Sequence, residues 1–310
     1  MDVYLPVAGM SMNIFLLVGL GAMVGFMSGL FGVGGGFIMT PLMMMAGIPP
    51  AVAAASDSNQ IVAGAASGAY AHWRLRNVDI KMGLVLLIGG LVGGTIGVQL
   101  VKLLRELGNI EFVMKALYVL MLSTIGGAMF WESLQTLRRS RRQAATPPRE
   151  TKHRVSIWSR LPLQMTFAQS NLRTSAIFPF IIAMFVGLLA AILGVGGGFI
   201  MVPAMIYVIG MPTIVAVGTD LFQIVITTAN VTLQQAVANH TVDLLLAMLL
   251  LIGSTVGAQF GARVGRRLRG EQIRILLAII VLVFAVKFVF DLLLQPDNLI
   301  AVAGGHGGGH

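Results

Sequence analysis

The sequence predicts an all-α polytopic membrane protein. It consists of two homologous inverted repeats of about five helical segments each, 8–10 transmembrane helices in all, with Gly-rich helix breaks or re-entrant hairpins. Three observations carry this prediction. Of 310 residues, 56% are hydrophobic and only 11% charged, against about 25% charged in an average soluble domain. So few charges could not cover a soluble protein with that much apolar surface. The chain also divides into ten apolar stretches, and a glycine motif occurs twice, once near the start of each set of five.

A spanning helix needs about 20 mostly apolar residues. The first set runs over residues 12–31, a shorter 36–47, 51–71, 80–101 and 112–131. The second runs over 176–193, a shorter 198–210, 213–236, 244–262 and 273–294. These divisions place a first transmembrane repeat at 1–135, a basic cytoplasmic linker at 136–173, a second repeat at 174–296 and a flexible Gly/His tail at 297–310. The stretch from Met1 to Met12 has no basic residue. A retained first helix is therefore expected rather than a cleaved signal peptide.

Repetition is explicit. The run from Leu30 to Pro41 (LFGVGGGFIMTP) matches Ile192 to Pro203 (ILGVGGGFIMVP). Further on, Ser56-Asp57 matches Thr219-Asp220, Gln60 matches Gln223, and Val78-Asp79 matches Val242-Asp243. Gly89, Gly93 and Gly97 match Gly253, Gly257 and Gly261. Ordered matches of this kind mark an internal duplication. An odd number of crossings per half would invert the second half, a plan that puts transporter sites near midplane between the repeats. That parity holds whether the short second segments span or re-enter.

The net charge is +9, and residues 138–173 alone hold eight arginines, one lysine and a single acid, Glu150. Basic loops mark the cytoplasmic side of a membrane protein. The same rule places Arg263, Arg266, Arg267 and Arg269 inside, with both termini outside. No nucleic-acid partner is expected. Cysteine is absent, which excludes disulfides, thiolate metal sites and cysteine nucleophiles.

Two constellations point to chemistry. Glycine costs about 1 kcal/mol relative to alanine inside a helix, so Gly34, Gly35 and Gly36, and Gly196, Gly197 and Gly198, mark a stop, turn and restart. Each restart presents free N–H groups and a positive dipole end, which suits an anion. The alternative reading is a tight interhelical turn. The Gly runs lack the further glycines and the Lys-Ser or Lys-Thr ending of a nucleotide loop. The second constellation is acidic. Asp57 and Asp220 lie inside apolar segments, where an acid costs at least about 2.5 kcal/mol and marks a functional candidate. Asp57 with Gln60, and Asp220 with Gln223, are three apart and share a helical face. They suit a pathway carrying a proton; helix capping and sodium ligation are the other readings. Ser56, Asn59, Thr219 and Asn230 are the further polar candidates for the cavity. The Gly21-Gly25-Gly29, Gly89-Gly93-Gly97 and Gly253-Gly257-Gly261 ladders predict close helix packing.

The paired FGVGGGFI…P and LGVGGGFI…P motifs, each followed by Ser-Asp or Thr-Asp, resemble those of the TauE/SafE family of sulfite and organosulfonate exporters. The likeness covers roughly residues 14–104 and 177–294. It implies a multi-pass inner-membrane carrier of a small sulfur-containing anion, with the glycine motifs forming the site. The central basic loop is longer than that family leads one to expect. The resulting expectation is a proton-coupled secondary carrier with alternating access. Its partners are a small anion and the bilayer, with a homodimer left open. No cofactor, metal or ATPase subunit is expected. A carrier binding sodium or protons at Asp57 and Asp220 is the alternative, ahead of a membrane-embedded enzyme, for which no H-E-x-x-H or G-x-S-x-G pattern occurs.

Overall fold

The computed structural model describes residues 2–31, 35–140, 164–167, 169–170, 172–265 and 270–293. The first half runs β1 (Asp2–Leu5), β2 (Met10–Asn13), α1 (Ile14–Phe31), α2 (Gly36–Met45), α3 (Pro50–Arg74), α4 (Ile80–Glu106) and α5 (Ile110–Ser140). The second runs β3 (Gln164–Phe167), β4 (Leu172–Ser175), α6 (Ile177–Leu193), α7 (Gly198–Pro203), α8 (Thr213–Gln234), α9 (Leu244–Gly265) and α10 (Gly270–Leu293). Beyond Pro203, which lacks an N–H to continue the ladder, α7 widens into a π turn at Ala204–Ile209. A second π turn, Gln235–Asn239, ends α8.

Five helical stretches among the described residues are long and apolar enough to cross a membrane: Ile80–Glu106, Ile110–Ala128, Thr213–Asn239, Leu244–Gly261 and Leu276–Leu293. Helix α3 has 25 residues but is too polar to join them. Its polar run turns inward instead, with Ser56, Asp57 and Ser58 buried. Large apolar side chains such as Phe15, Ile88, Leu120 and Phe185 lie exposed along the other helices, as lipid-facing surface requires. The result is an all-α polytopic membrane architecture with two small additions.

Those additions are β-hairpins. In each, the strands pair antiparallel, Asp2↔Asn13 to Leu5↔Met10 and Gln164↔Ser175 to Phe167↔Leu172. Each hairpin immediately precedes the first helix of its half; the first buries Leu5 and Met12, the second Phe167. The second begins within the stretch read from sequence as a linker and ends at Ser175, just ahead of α6.

The short helices turn back rather than continuing their predecessors. A methyl built on Gly35 would lie 3.0 Å from Val24 Cγ1, and one on Gly47, at the end of α2, 3.7 Å from Met10 Cε, ahead of α1. A methyl on Gly197 would likewise lie 3.3 Å from Val186 on α6. Helix α2 thus returns toward the start of α1, as a re-entrant hairpin does.

The main helix pairings join one half to the other: α1 with α9, α4 with α6, α3 with α8, and α5 with α10. The glycine ladders make the first two. A methyl on Gly21 would meet Leu250 O at 2.5 Å, and Gly257 and Gly261 abut the Ala22 and Phe26 carbonyls. On the other seam, Gly89, Gly93 and Gly97 abut the carbonyls of Phe180, Met184 and Leu188. Contacts advance together along both helices, so each pair runs parallel with backbones touching, as small residues permit.

Candidate functional site

The two glycine breaks meet at the centre of the molecule. The rings of Phe37 and Phe199, one residue past each break, stack with centroids 4.2 Å apart and 9° between planes. A methyl on Gly36 would lie 3.0 Å from Val195 O, so one break packs against the backbone of the other. Ile61 of α3 fills the space between them: added methyls at Gly36 and at Gly196 would meet its Cδ1 at 2.5 and 2.9 Å. The breaks differ in conformation. Gly196 and Gly197 have φ of +73° and +85°, a region that disfavours side chains, whereas Gly35 has φ −87°. Gly34 lies outside the described residues. Gly198 is buried at the start of α7.

A narrow cavity opens beside the second break, between α4, α6 and α8. Its polar wall is Gln223, Thr227 and Thr228, and its close-approach wall is Gly90, Gly187, Gly196 and Gly197. Three of the residues singled out in the sequence, Gly196, Gly197 and Gln223, therefore come together. Gly90, Gly187, Thr227 and Thr228 join them. Thr227, four residues on, continues the face of Gln223 at the next helical turn, a spacing that could have found it. Asn59 and Asn230, by contrast, are half-buried and do not line this cavity.

The two acids have different surroundings. Asp57 is fully buried. Its Oδ2 accepts a hydrogen bond from Thr40 Oγ1 at 2.9 Å, and its Oδ1 has no partner within the protein. Tyr118 of α5 packs beside this pair and donates to Leu193 O, just before the second break. Gln60 does not bond Asp57; its Oε1 is also buried without a donor. In the second half Val202 stands in the place of Thr40, and Gln223 Nε2 donates to Asp220 Oδ1 at 3.0 Å. The repeated Asp-x-x-Gln pattern thus forms a hydrogen-bonded pair only in half two.

Neither acid caps a helix. Helices α3 and α8 begin at Pro50 and Thr213, a full turn or more before Asp57 and Asp220. The caps are Asp79 and Asp243, whose Oδ1 atoms accept from Met82 N at 3.2 Å and Leu246 N at 3.1 Å. Each also crosses to the other half. Asp79 Oδ2 accepts from Ser170 N and Oγ in the β3–β4 turn, at 3.0 and 2.8 Å. Asp243 Oδ2 accepts from Val7 N in the β1–β2 turn at 3.0 Å. Their backbone N–H groups donate to Thr219 Oγ1 at 3.0 Å and Ser56 Oγ at 3.2 Å. Ser56 and Thr219 are thereby tied to these clamps, one residue before each acid.

Chain-wide similarity agrees with this architecture. The family described as sulfite exporter TauE/SafE matches residues 17–288. "Probable membrane transporter protein YunE" of Bacillus subtilis (strain 168) is 26% identical over 293 residues, covering 90% of this chain and 98% of the relative. "Probable membrane transporter protein YjnA" of the same organism is 28% identical over 285 residues, covering 90% and 100%. A "Probable membrane transporter protein" of Xylella fastidiosa (strain 9a5c) is 26% identical over 267 residues, covering 84% and 88%. No solved structure matches significantly. The chain belongs to the sulfite exporter TauE/SafE family and is a multi-pass membrane transporter.

Proposed function

We propose that this transporter is a secondary, proton-coupled carrier, working as an exporter, of a small sulfur-containing anion such as sulfite, sulfoacetate or another organosulfonate. It acts in the inner membrane by alternating access between two inverted halves. The observation that carries this reading is the cavity beside the second glycine break. It combines neutral polar groups on α8 with glycines that let backbone approach a ligand closely, and the bilayer-embedded acid Asp220 is hydrogen-bonded to one of its walls. Backbone N–H groups and neutral side chains hold oxyanions without a basic residue.

The chain path supports inversion. Helix α2 returns toward the start of α1, so α3 begins on that side and α4 on the other. The start of α4 lies against the β3–β4 turn ahead of α6, and the start of α9 against the β1–β2 turn ahead of α1. The first helices of the two halves therefore enter from opposite sides.

A second reading has its own observation. Asp57 Oδ1 and Gln60 Oε1 are buried oxygen acceptors with no donor, and oxygen acceptors of this kind suit a sodium ion. Thermal unfolding of the purified protein against sulfite, thiosulfate, sulfoacetate, taurine and sodium separates the two readings, because binding to the native state raises Tm. A rise with a sulfur anion that Gly197→Leu abolishes supports the anion cavity. A rise with sodium alone, abolished by Asp57→Asn, supports the cation carrier and rejects the anion reading.

A further inference from the structure

In the structure the polar wall of the cavity presents acceptors rather than donors. Gln223 Nε2 donates one of its two protons to Asp220 Oδ1, which turns the NH2 toward the acid. Gln223 Oε1 faces Gly90, where an added methyl would lie 3.2 Å away, and the Thr227 hydroxyl, 3.4 Å away. Each threonine has a single hydroxyl proton. Thr228 directs its proton to Ile224 O, and Thr227 reaches Gln223 O at 3.0 Å and Ile224 O at 3.3 Å. An anion entering this cavity would meet oxygen lone pairs.

The amide orientation follows from the charge state of its neighbour. An ionised carboxylate only accepts hydrogen bonds, so it draws the NH2 of Gln223 toward itself and leaves Oε1 on the cavity side. A protonated carboxyl has a proton to donate. It is satisfied by an amide turned about its last bond, with Oε1 toward Asp220 and the NH2 in the cavity.

We propose that Asp220 and Gln223 form a proton-switched amide, in which protonation of Asp220 turns the Gln223 side chain over and converts the cavity wall from acceptor to anion donor. This rests on the anion-carrier reading and deepens it, since it names the proton carrier and the group through which the proton alters anion binding. One proton accompanies one anion, so a monoanion moves electroneutrally, and the combined concentration and pH gradients set its direction. The first half lacks this device, because Gln60 does not bond Asp57.

Other ionisable groups surround α8. On α3, Asp57 is buried against Thr40. His72 Nδ1 is buried without a partner, 3.1 Å from a methyl built on Gly218. Arg74 is exposed. On α4, Asp79 is turned to Ser170 and Met82, while Lys81, Lys102, Arg105 and Glu106 are exposed. Helix α6 carries none, and the α7 continuation carries only the exposed Tyr207. Asp220 is the group bonded to the cavity wall.

The test is calorimetric titration of the full-length protein in detergent with thiosulfate, ethanesulfonate and sulfite, the last with its own titration subtracted. Buffers of different ionisation heat then report protons taken up per anion bound. The expected result is uptake approaching one proton, with affinity falling about tenfold per pH unit above the titration of the pair, as one-proton linkage demands. Asp220→Asn can donate to Gln223 Oε1 permanently. It should bind with no proton uptake and with affinity changing less than about twofold over the same pH range. Gln223→Met, close in shape but without an amide, should lose the gain in affinity at acid pH, which keeps the test decisive should Asp220→Asn not fold. Anion binding without proton uptake in the unaltered protein overturns the switch and leaves the anion reading standing. Proton uptake that persists in Asp220→Asn overturns the assignment to Asp220. Binding of none of the three anions at any pH overturns the anion reading, and the switch falls with it.

Discussion

A methyl group added at Gly93 would strike the Met184 carbonyl, a backbone atom that cannot turn aside. Overpacking of this kind costs about 1–3 kcal/mol or more. Gly19, on the same class of apolar helix, has nothing within 4 Å of an added methyl. Gly93→Ala should therefore lower the melting temperature of the purified protein, while Gly19→Ala should leave it unchanged or slightly raised. Equal effects at the two positions would show that the seam is looser than its geometry states. The packing role of the ladders was legible because a four-residue period is a property of sequence alone. The role of Ile61 was not. An isoleucine in a helix of small and polar residues carries no mark that it will separate two glycine breaks lying far from it in the chain.

Asp79 and Asp243 act on whole elements. Each begins a long helix, holds the turn of the other half's β-hairpin and ties the helix that bears an acid. Loss of a cap costs about 0.5–2 kcal/mol, and hydrogen bonds to charged groups contribute about 1.5–3 kcal/mol. Asp79→Ala should free the β3–β4 hairpin, raising amide hydrogen exchange across residues 164–175 more than across 2–13. Asp243→Ala should do the reverse. Exchange that rises equally in both hairpins, or in neither, would contradict the crossed arrangement. The repeated Val-Asp pair was visible in the sequence as a repeat, but its job was not. The partners lie 91 and 236 residues away in the chain, and no local pattern records them.

At the scale of the whole molecule, every major helix pair joins one half to the other. Among the described residues, neither half encloses a core of its own. The largest apolar cluster draws Leu17 and Phe37 from the first half and Phe199, Leu250 and Phe288 from the second. A chain divided near residue 150 should therefore yield a stable protein only when both pieces are produced together, and the pieces should co-purify. A first half that stays monodisperse alone, with a cooperative thermal transition, would refute this interdependence.

The sequence by itself determined the solvent, the duplication, the helix order and the family, because composition and repeated motifs are local and additive. It also marked Gly196, Gly197 and Gln223, since glycine runs and intramembrane polar residues are costly enough to stand out. Only the tertiary structure decided that Asp220 bonds its glutamine while Asp57 turns to Thr40 instead. It alone revealed the hairpins that open each half and the clamps that hold them. The reason is physical. Two copies of one motif receive different neighbours when they dock, and a side chain's hydrogen bonds depend on those neighbours.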